Sequence, residues 1–400
     1  MNLLWIISLG LLLAYILRIL SFRYGWRRVT GNPDKGKECP GVTLVVPVRD
    51  EEGNIGLLLG DLAGQDYPED RLEFILVDDH SGDRTPEIIR SFCRDHPGFR
   101  FMALNPSESG KKAALEKGIR AAGHRLVLNT DGDCRVPSGW VRQMVEGFSG
   151  PEVRMVAGTV IYEPDRGIFH AMQSLESFSL TAVSSSSAGL NDPVLCSAAN
   201  LAYYREDYLR FIGEHKKVSE SGDDVFLMLW LKRKYPGSIR FSSSPGSAVR
   251  TRPASDLPSF FRQRMRWSSK TRHFRDAGAA GTAMLVLALN LLLLALLLAL
   301  LANLIFTSGH GLTPGGTWQP GLLGLFGVIL LGKSLADLLL LFPVLRHYRK
   351  TRLLLYFLPL QMIYFMYVSL AGVLGQFLTL SWKGRNVRVH RRNKTVENKS

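Results

Sequence analysis

The chain has 400 residues, enough for more than one structural unit. Its net charge of +14 invites a nucleic-acid partner, yet the basic residues crowd beside long apolar runs instead of forming an aromatic-interleaved surface, which argues against one. The four cysteines, Cys39, Cys93, Cys134 and Cys196, show no metal-ligand spacing, so neither zinc nor a disulfide framework is expected.

Residues 3–20 are almost entirely apolar and are followed by Arg23, Arg27 and Arg28. Such a run can span a bilayer, which takes roughly 20 residues. No charged segment precedes it and no small-residue cleavage site follows, so it reads as an uncleaved anchor and not a signal peptide. Residues 42–48 form a β-branched run that predicts a buried strand. A helix is expected over 51–65, with Ile55, Leu58, Leu59 and Leu62 on one face. Residues 73–77 predict a second strand. Thr85 is expected to cap the next helix, with Pro86 at its first position. A further helix over about 112–122 leads to a strand at 125–129. This alternation implies a mostly parallel sheet with helices on its faces, and in such sheets ligands bind at the carboxyl ends of the strands. Those ends carry Asp50 and Glu51, then Asp78 and Asp79, then Asp131 and Asp133. Asp131-Gly132-Asp133 suits one magnesium or manganese ion, a hard cation that prefers oxygen ligands. Ser184–Ser187 reads as a polar loop.

Residues 258–275 mix Phe260, Phe261, Met265 and Trp267 with Arg and Lys, the pattern of an amphipathic helix on a membrane surface. Three more apolar blocks follow at 281–306, 321–345 and 353–380, each long enough to span. Lys333 and Asp337, four apart inside the second block, are expected to neutralise each other or to meet polar groups inside the bundle. Basic clusters at 262–275 and 346–352 place the middle domain in the cytoplasm and the uncharged loop at 307–320 outside. One feature conflicts with four spans. The tail holds Lys383, Arg385, Arg388, Arg391, Arg392 and Lys394, yet four spans would put it outside. Either the last block is partly re-entrant or interfacial, for instance kinked near Pro359, or one span is miscounted.

Six segments taken in order carry a resemblance: Pro47-Val48-Arg49-Asp50-Glu51-Glu52, Val77-Asp78-Asp79-His80-Ser81-Gly82-Asp83, Gly110-Lys111-Lys112-Ala113-Ala114-Leu115, Asp131-Gly132-Asp133, Ser221-Gly222-Asp223-Asp224 and Gln263-Arg264-Met265-Arg266-Trp267. Together they resemble the family 2 glycosyltransferases, and among them the inverting membrane polysaccharide synthases and ceramide-glucosyltransferase-like enzymes. The resemblance covers about residues 40–270. It implies a GT-A type nucleotide-sugar-binding domain, a nucleotide-sugar donor, a divalent metal (Mg2+ or Mn2+) and a uridine carrier. By resemblance, Asp79 or its neighbour Asp78 holds the nucleobase and ribose, with Asp50 in the same nucleotide-binding group and Lys111 near the nucleotide. Asp133 ligates the metal, and Asp131 lies close to the ribose or metal. Asp224 is the base that deprotonates the acceptor hydroxyl. Arg266 contacts the diphosphate and Trp267 stacks on the acceptor sugar, while Asn200, Asp223 and Gln263 belong to the diphosphate and acceptor region. Asp50 stands where Asn is common and Asp223 where Glu is common, and both keep a hydrogen-bonding side chain. On general grounds Asp223 and Asp224 read as a helix N-terminal pair favoured by the dipole, and Arg266 and Trp267 as interfacial anchors. Only the resemblance raises them to chemistry.

The expected organisation is an N-terminal transmembrane helix (1–22), a cytoplasmic catalytic domain (40–250), an interfacial segment (251–280), about three C-terminal membrane helices (281–380) and a basic tail (381–400). The expected acceptor is a lipid, a lipid-linked glycan or a growing polysaccharide in contact with membrane lipids, with a processive synthase that exports its product as the alternative. Three C-terminal spans are few for a polymer channel, which favours the lipid acceptor or a synthase that needs a partner subunit. A transporter or scaffold that merely binds nucleotide would not need Asp224, or Trp267 beside Arg266.

Overall fold

The computed structural model describes residues 3–29, 39–215, 223–309, 320–377, 380–382 and 385–387. The loop at 310–319, Ser221, Gly222 and most of the basic tail lie outside the described residues.

The first helix, α1 (Leu3–Val29), is followed by β1 (Val42–Val48), α2 (Ile55–Ala63), β2 (Leu72–Asp78), α3 (Thr85–Asp95), β3 (Phe99–Ala103), α4 (Lys111–Ala121) and β4 (Leu126–Asn129). Next come β5 (Cys134–Arg135), α5 (Trp140–Glu146), β6 (Met155–Gly158), β7 (Val160–Tyr162) and α6 (Ile168–Gly189). The domain closes with β8 (Leu201–Tyr204), α7 (Arg205–Glu214), α8 (Asp223–Lys234), β9 (Ile239–Ser242) and β10 (Val249–Thr251). After it come α9 (Leu257–Ser268), α10 (Ala277–Gly309), α11 (Pro320–His347), α12 (Phe357–Phe377), and the short strands β11 (Leu380–Trp382) and β12 (Arg385–Val387).

The seven-stranded sheet has the order β3-β2-β1-β4-β8-β6-β9. Neighbours are parallel except at β8, which runs antiparallel to both β4 and β6. The sheet is therefore mostly parallel, with helices on both faces. Alternation along β1 divides the core. Val42, Leu44, Val46 and Val48 meet α2 and α5 on one face, and Val45 meets α4 and the β6–β9 half on the other. Pro47 lies beyond the register with β4, which ends at Val45 opposite Asn129, so its missing N–H removes no ladder bond on that side.

Several local expectations shift. The helix expected from residue 51 starts at Ile55, because Glu51 C=O accepts the N–H groups of both Asn54 and Ile55 and closes a turn first. Thr85 is the first helical residue and not the cap. Its hydroxyl accepts the Glu51 N–H at 2.8 Å, and Asp83 accepts the Thr85 N–H at 3.0 Å. Ser184–Ser187 is no loop but the buried last turns of α6. Small side chains are needed there because α1 crosses α6 at close range: a Cβ on Gly25 would collide with the Ser186 carbonyl, and one on Gly189 with the Gly25 carbonyl. Ser185 and Ser187 return their hydroxyls to Thr181 C=O (2.7 Å) and Ser184 C=O (3.0 Å).

Among the described residues four helices are long and apolar enough to cross a membrane: α1, α10, α11, and α12 together with the 3-10 turn Thr351–Tyr356 that leads into it. They join α6 and α9 in one apolar core. Inside it Lys333 Nζ lies 2.7 Å from Asp337 Oδ2 and 3.0 Å from Gln361 Oε1, and Tyr15 donates to Asp337, so this polar cluster is internally satisfied.

Candidate active site

The carboxyl ends of β1, β2 and β4 open onto a cavity of about 1420 Å³. Asp79, Lys111, Asp131 and Asp133 line it from the sheet, Asp224 from the start of α8, and Gln263, Arg266 and Trp267 from α9. Segments far apart in sequence are thus brought to one space. The cavity continues between the long helices, past Phe22, Val183, Met284 and Leu287.

Not every expected residue faces it. Asp50 sits at φ 51° and accepts the Gly82 N–H at 2.7 Å, outside the cavity lining. Asn and Asp are the side chains that tolerate this left-handed backbone, which accounts for Asp at this position. Asp78 turns away and holds the Ser81 N–H and hydroxyl, leaving its neighbour Asp79 on the cavity, 3.6 Å from Arg49 Nη1. Asn200 is fully buried and does not line the pocket. Its amide donates to Thr159 C=O (2.8 Å) and Ser247 C=O (2.7 Å) and accepts from Trp140 Nε1 (2.9 Å), so both its N–H groups and its oxygen are engaged in joining three segments. The Asp223 side chain lies outside the described residues.

Lys111, at the first turn of α4, forms an ion pair with Asp131. Burial lowers its ammonium pKa, but the attraction of Asp131 outweighs this and the net shift is upward. Asp131 and Asp133 are the two carboxylates at the end of β4. Among the described residues no group of three or more His, Cys, Asp or Glu gathers to form a complete metal shell. Two carboxylates beside an open cavity fit magnesium or manganese, which keep waters and take further oxygens from a bound diphosphate.

Asp224 accepts the N–H groups of Ala198 (3.0 Å) and Val225 (2.9 Å), and Lys270 Nζ lies 3.7 Å away. Burial alone would raise its carboxyl, yet Lys270 and these N–H groups hold it below its ordinary value, so it stays ionised near neutrality. Arg266 differs from its neighbours. Its guanidinium has no ion pair or hydrogen bond among the described residues, and burial lowers its pKa against the pull of Asp131, Asp224 and Asp133. Gln263 Oε1 accepts from Arg264. Arg264 is buried against Glu176 of α6 (3.0 and 2.5 Å) and lies 4.5 Å from the Trp267 ring centroid, so it holds the ring at the cavity wall.

Lys270, Arg49, Glu176 and the Ala198 N–H were not foreseen. Lys270 was hidden in a basic run assigned to membrane flanking, and only its spacing three residues past Trp267 marks it. The Ala198 amide carries no side-chain signal.

Residues 43–212 match the family model "Glycosyl transferase family 2". The chain is 29% identical over 195 residues to Glycosyltransferase AglE of Haloferax volcanii, covering 48% of this chain and 61% of the relative. It is 34% identical over 113 residues to a beta-monoglucosyldiacylglycerol synthase of a Synechocystis strain, covering 28% of this chain and 24% of the relative. The matches thus span less than two thirds of either relative's own length. In three dimensions it resembles the mannosyltransferase PcManGT of Pyrobaculum calidifontis, solved with GDP-Man and Mn2+, with a TM-score of 0.58 and 20% identity over 90% of this chain and 99% of that one. Residues 43–212 thus form a domain that matches the glycosyl transferase family 2 model, and the fold is GT-A-like.

Proposed function

We propose that the protein transfers a sugar from a nucleotide-sugar, with UDP as the carrier, to a lipid or lipid-linked acceptor at the cytoplasmic face of a membrane, inverting the anomeric centre. One observation carries the reading: an ionised Asp224, an Arg266 with no ion pair or hydrogen bond among the described residues, and Trp267 share a single cavity whose inner wall is built from membrane-length helices. Asp79 and Lys111 receive the nucleoside end of the donor. Arg266 gains its missing partner when a diphosphate lies beside it, and a buried guanidinium binds a leaving diphosphate more strongly than a solvated one. Asp131 and Asp133 would hold a magnesium or manganese ion, which supplies further charge neutralisation to the diphosphate when bound. Trp267 offers an apolar face to the acceptor sugar. Asp224 takes the proton of the acceptor hydroxyl as that oxygen bonds to the anomeric carbon. The bond from that carbon to the diphosphate oxygen breaks, and its electron pair leaves with the nucleotide. One base on the face opposite the leaving group gives inversion.

The apolar walls at Phe22, Val183 and Met284, and the relative named as a diacylglycerol-glucoside synthase, support the lipid acceptor. Tyr15, Gln361 and Tyr364, which also line the inner cavity, support a second reading: processive synthesis of a hydroxyl-rich polymer. The test is nucleotide release and product analysis in nanodiscs with UDP- and GDP-sugars, magnesium or manganese, and membrane lipid extract. The wild type should release nucleoside diphosphate and Asp224→Asn should not. A short lipid-extractable product supports the first reading, and a long product the second. Equal nucleotide binding by both proteins with no turnover on any donor would refute both.

A further inference from the structure

Four crossings put the basic tail opposite the catalytic domain, against the charge rule. The two ends of α12 bear directly on this conflict. Ahead of α12, Lys350 Nζ lies 2.8 Å from Glu163 Oε1 and 2.9 Å from Asp165 Oδ2, and Arg352 reaches Asp165 Oδ1 at 2.6 Å. Glu163 and Asp165 follow β7 of the catalytic domain. At the far end, the Ser268 hydroxyl donates to Ala371 C=O (2.7 Å), Gln376 Nε2 donates to Ser268 C=O (2.9 Å), and Arg272 donates to Gln376 C=O (3.0 Å). Ser268 and Arg272 flank Lys270, the partner of Asp224. Both ends of α12 are therefore fastened on the side where α10 begins and α11 ends, the latter held in the same region by His347 Nε2, 2.8 Å from Ser243 C=O.

A 21-residue helix is about 31 Å long, close to the hydrocarbon thickness of a bilayer, so a crossing would carry its ends to opposite surfaces. Instead α12 runs beside α9, with the Phe260 and Tyr367 rings 5.2 Å apart and Gly375 too close to Met265 to admit a Cβ. Its two faces differ as an in-plane helix requires. Leu360, Phe365, Tyr367 and Ala371 are buried in the protein, whereas Leu358, Met362, Met366, Leu370 and Leu374 recur every four residues as an exposed apolar stripe. Water would not tolerate that stripe, and α10 and α11 also expose apolar side chains such as Leu298, Leu301, Leu331 and Leu335.

We infer that α12 lies in the plane of the membrane, in the leaflet beside the catalytic domain, with its exposed stripe against lipid chains. The chain then crosses three times, through α1, α10 and α11, and everything after Phe377 stays on the catalytic side. The tail's Lys383, Arg385, Arg388, Arg391, Arg392 and Lys394 then face the same leaflet as the other basic clusters, and the charge conflict disappears. The inference rests on the membrane-bound reading above, but not on the transfer reaction.

The test uses single cysteines in a chain whose four native cysteines are replaced by serine, labelled with a membrane-impermeant maleimide. Thr313→Cys should label in intact cells, whereas Glu69→Cys and Ser400→Cys should label only after permeabilisation. Labelling of Ser400→Cys in intact cells would overturn the inference. Protection of Thr313→Cys in intact cells would overturn it too, together with the spanning reading of α10 and α11. A C-terminal reporter fused to the unaltered chain reads the same side without any cysteine change. Spin labels at Leu358, Met362, Met366, Leu370 and Leu374 in nanodiscs should lie within about one helical turn of a common depth. A steady sweep of about 24 Å along the series would mark a spanning helix and refute the in-plane one.

Discussion

Asn200→Leu separates a structural asparagine from a ligand-binding one. The substitution keeps the approximate size but removes one acceptor and two donors, leaving Trp140 Nε1, Thr159 C=O and Ser247 C=O without the partners they have at 2.7 to 2.9 Å. Thr159 C=O keeps the Val249 N–H at 3.0 Å, so two groups, Trp140 Nε1 and Ser247 C=O, are left unpaired. At about 1–3 kcal/mol for each buried unpaired group the loss is at least about 2 kcal/mol. For a domain of this size about 2 kcal/mol lowers the unfolding midpoint by roughly 4–8 °C. Thermal unfolding in detergent, followed by tryptophan fluorescence, reads the loss. Nucleotide titration of the folded protein below the transition should give an unchanged Kd. An unchanged midpoint with a tenfold weaker Kd would refute the reasoning and return Asn200 to the ligand pocket. Gly158→Ala should reproduce part of the loss, because the added Cβ would run into the Asn200 amide.

Arg266→Ala should lower turnover about 10²–10³-fold while the protein stays folded, since the guanidinium supports no described contact; initial-rate assays check this. Lys270→Met should move the acid limb of the pH–rate profile upward. Lys270 holds the Asp224 carboxyl below its ordinary 3.8, so without it the base takes up its proton at a higher pH and activity falls sooner on acidification. Glu176→Gln leaves the Arg264 guanidinium buried without its counter-charge, which should cost about 3–5 kcal/mol in a denaturant or thermal unfolding series.

The parallel half of the fold was legible because its signals are local. The buried runs at Val42–Val48 and Leu126–Asn129 are β-branched or aliphatic, and the helices between them keep a 3.6-residue period. Carboxylates just after such runs must gather at one edge, so Asp79, Asp131 and Asp133 were placed together from spacing alone. Asp224, Arg266 and Trp267 arrive from loops and helices far along the chain, and only the motif order linked them to that edge. Where the reading failed, tertiary packing overrode local preference. Four consecutive serines favour a loop until a helix must pass close beside another, as α6 does beside α1. Asn200 sits in a motif-like segment but is consumed by backbone carbonyls that the sequence cannot show. β3 is a short edge strand with an exposed arginine, Arg100, and carries too little alternation to be seen. The apolar length of α12 meets the span criterion, while the contacts that tie its two ends are legible only in three dimensions.

The contact between Gly25 and Gly189 turns α1 from a leash into a strut. Backbones pressed together leave no side chain to repack and no slack to swing on, so the last turns of the membrane anchor and the end of α6 move as one piece. Under the proposed function, this strut would hold the Asp224 carboxylate at a constant height over the bilayer. On the same proposal, selection would fall on reach: a lipid-anchored acceptor would be served when its hydroxyl stands as far from its own lipid anchor as Asp224 stands from the membrane, and a head group one sugar longer or shorter would present itself at the wrong level.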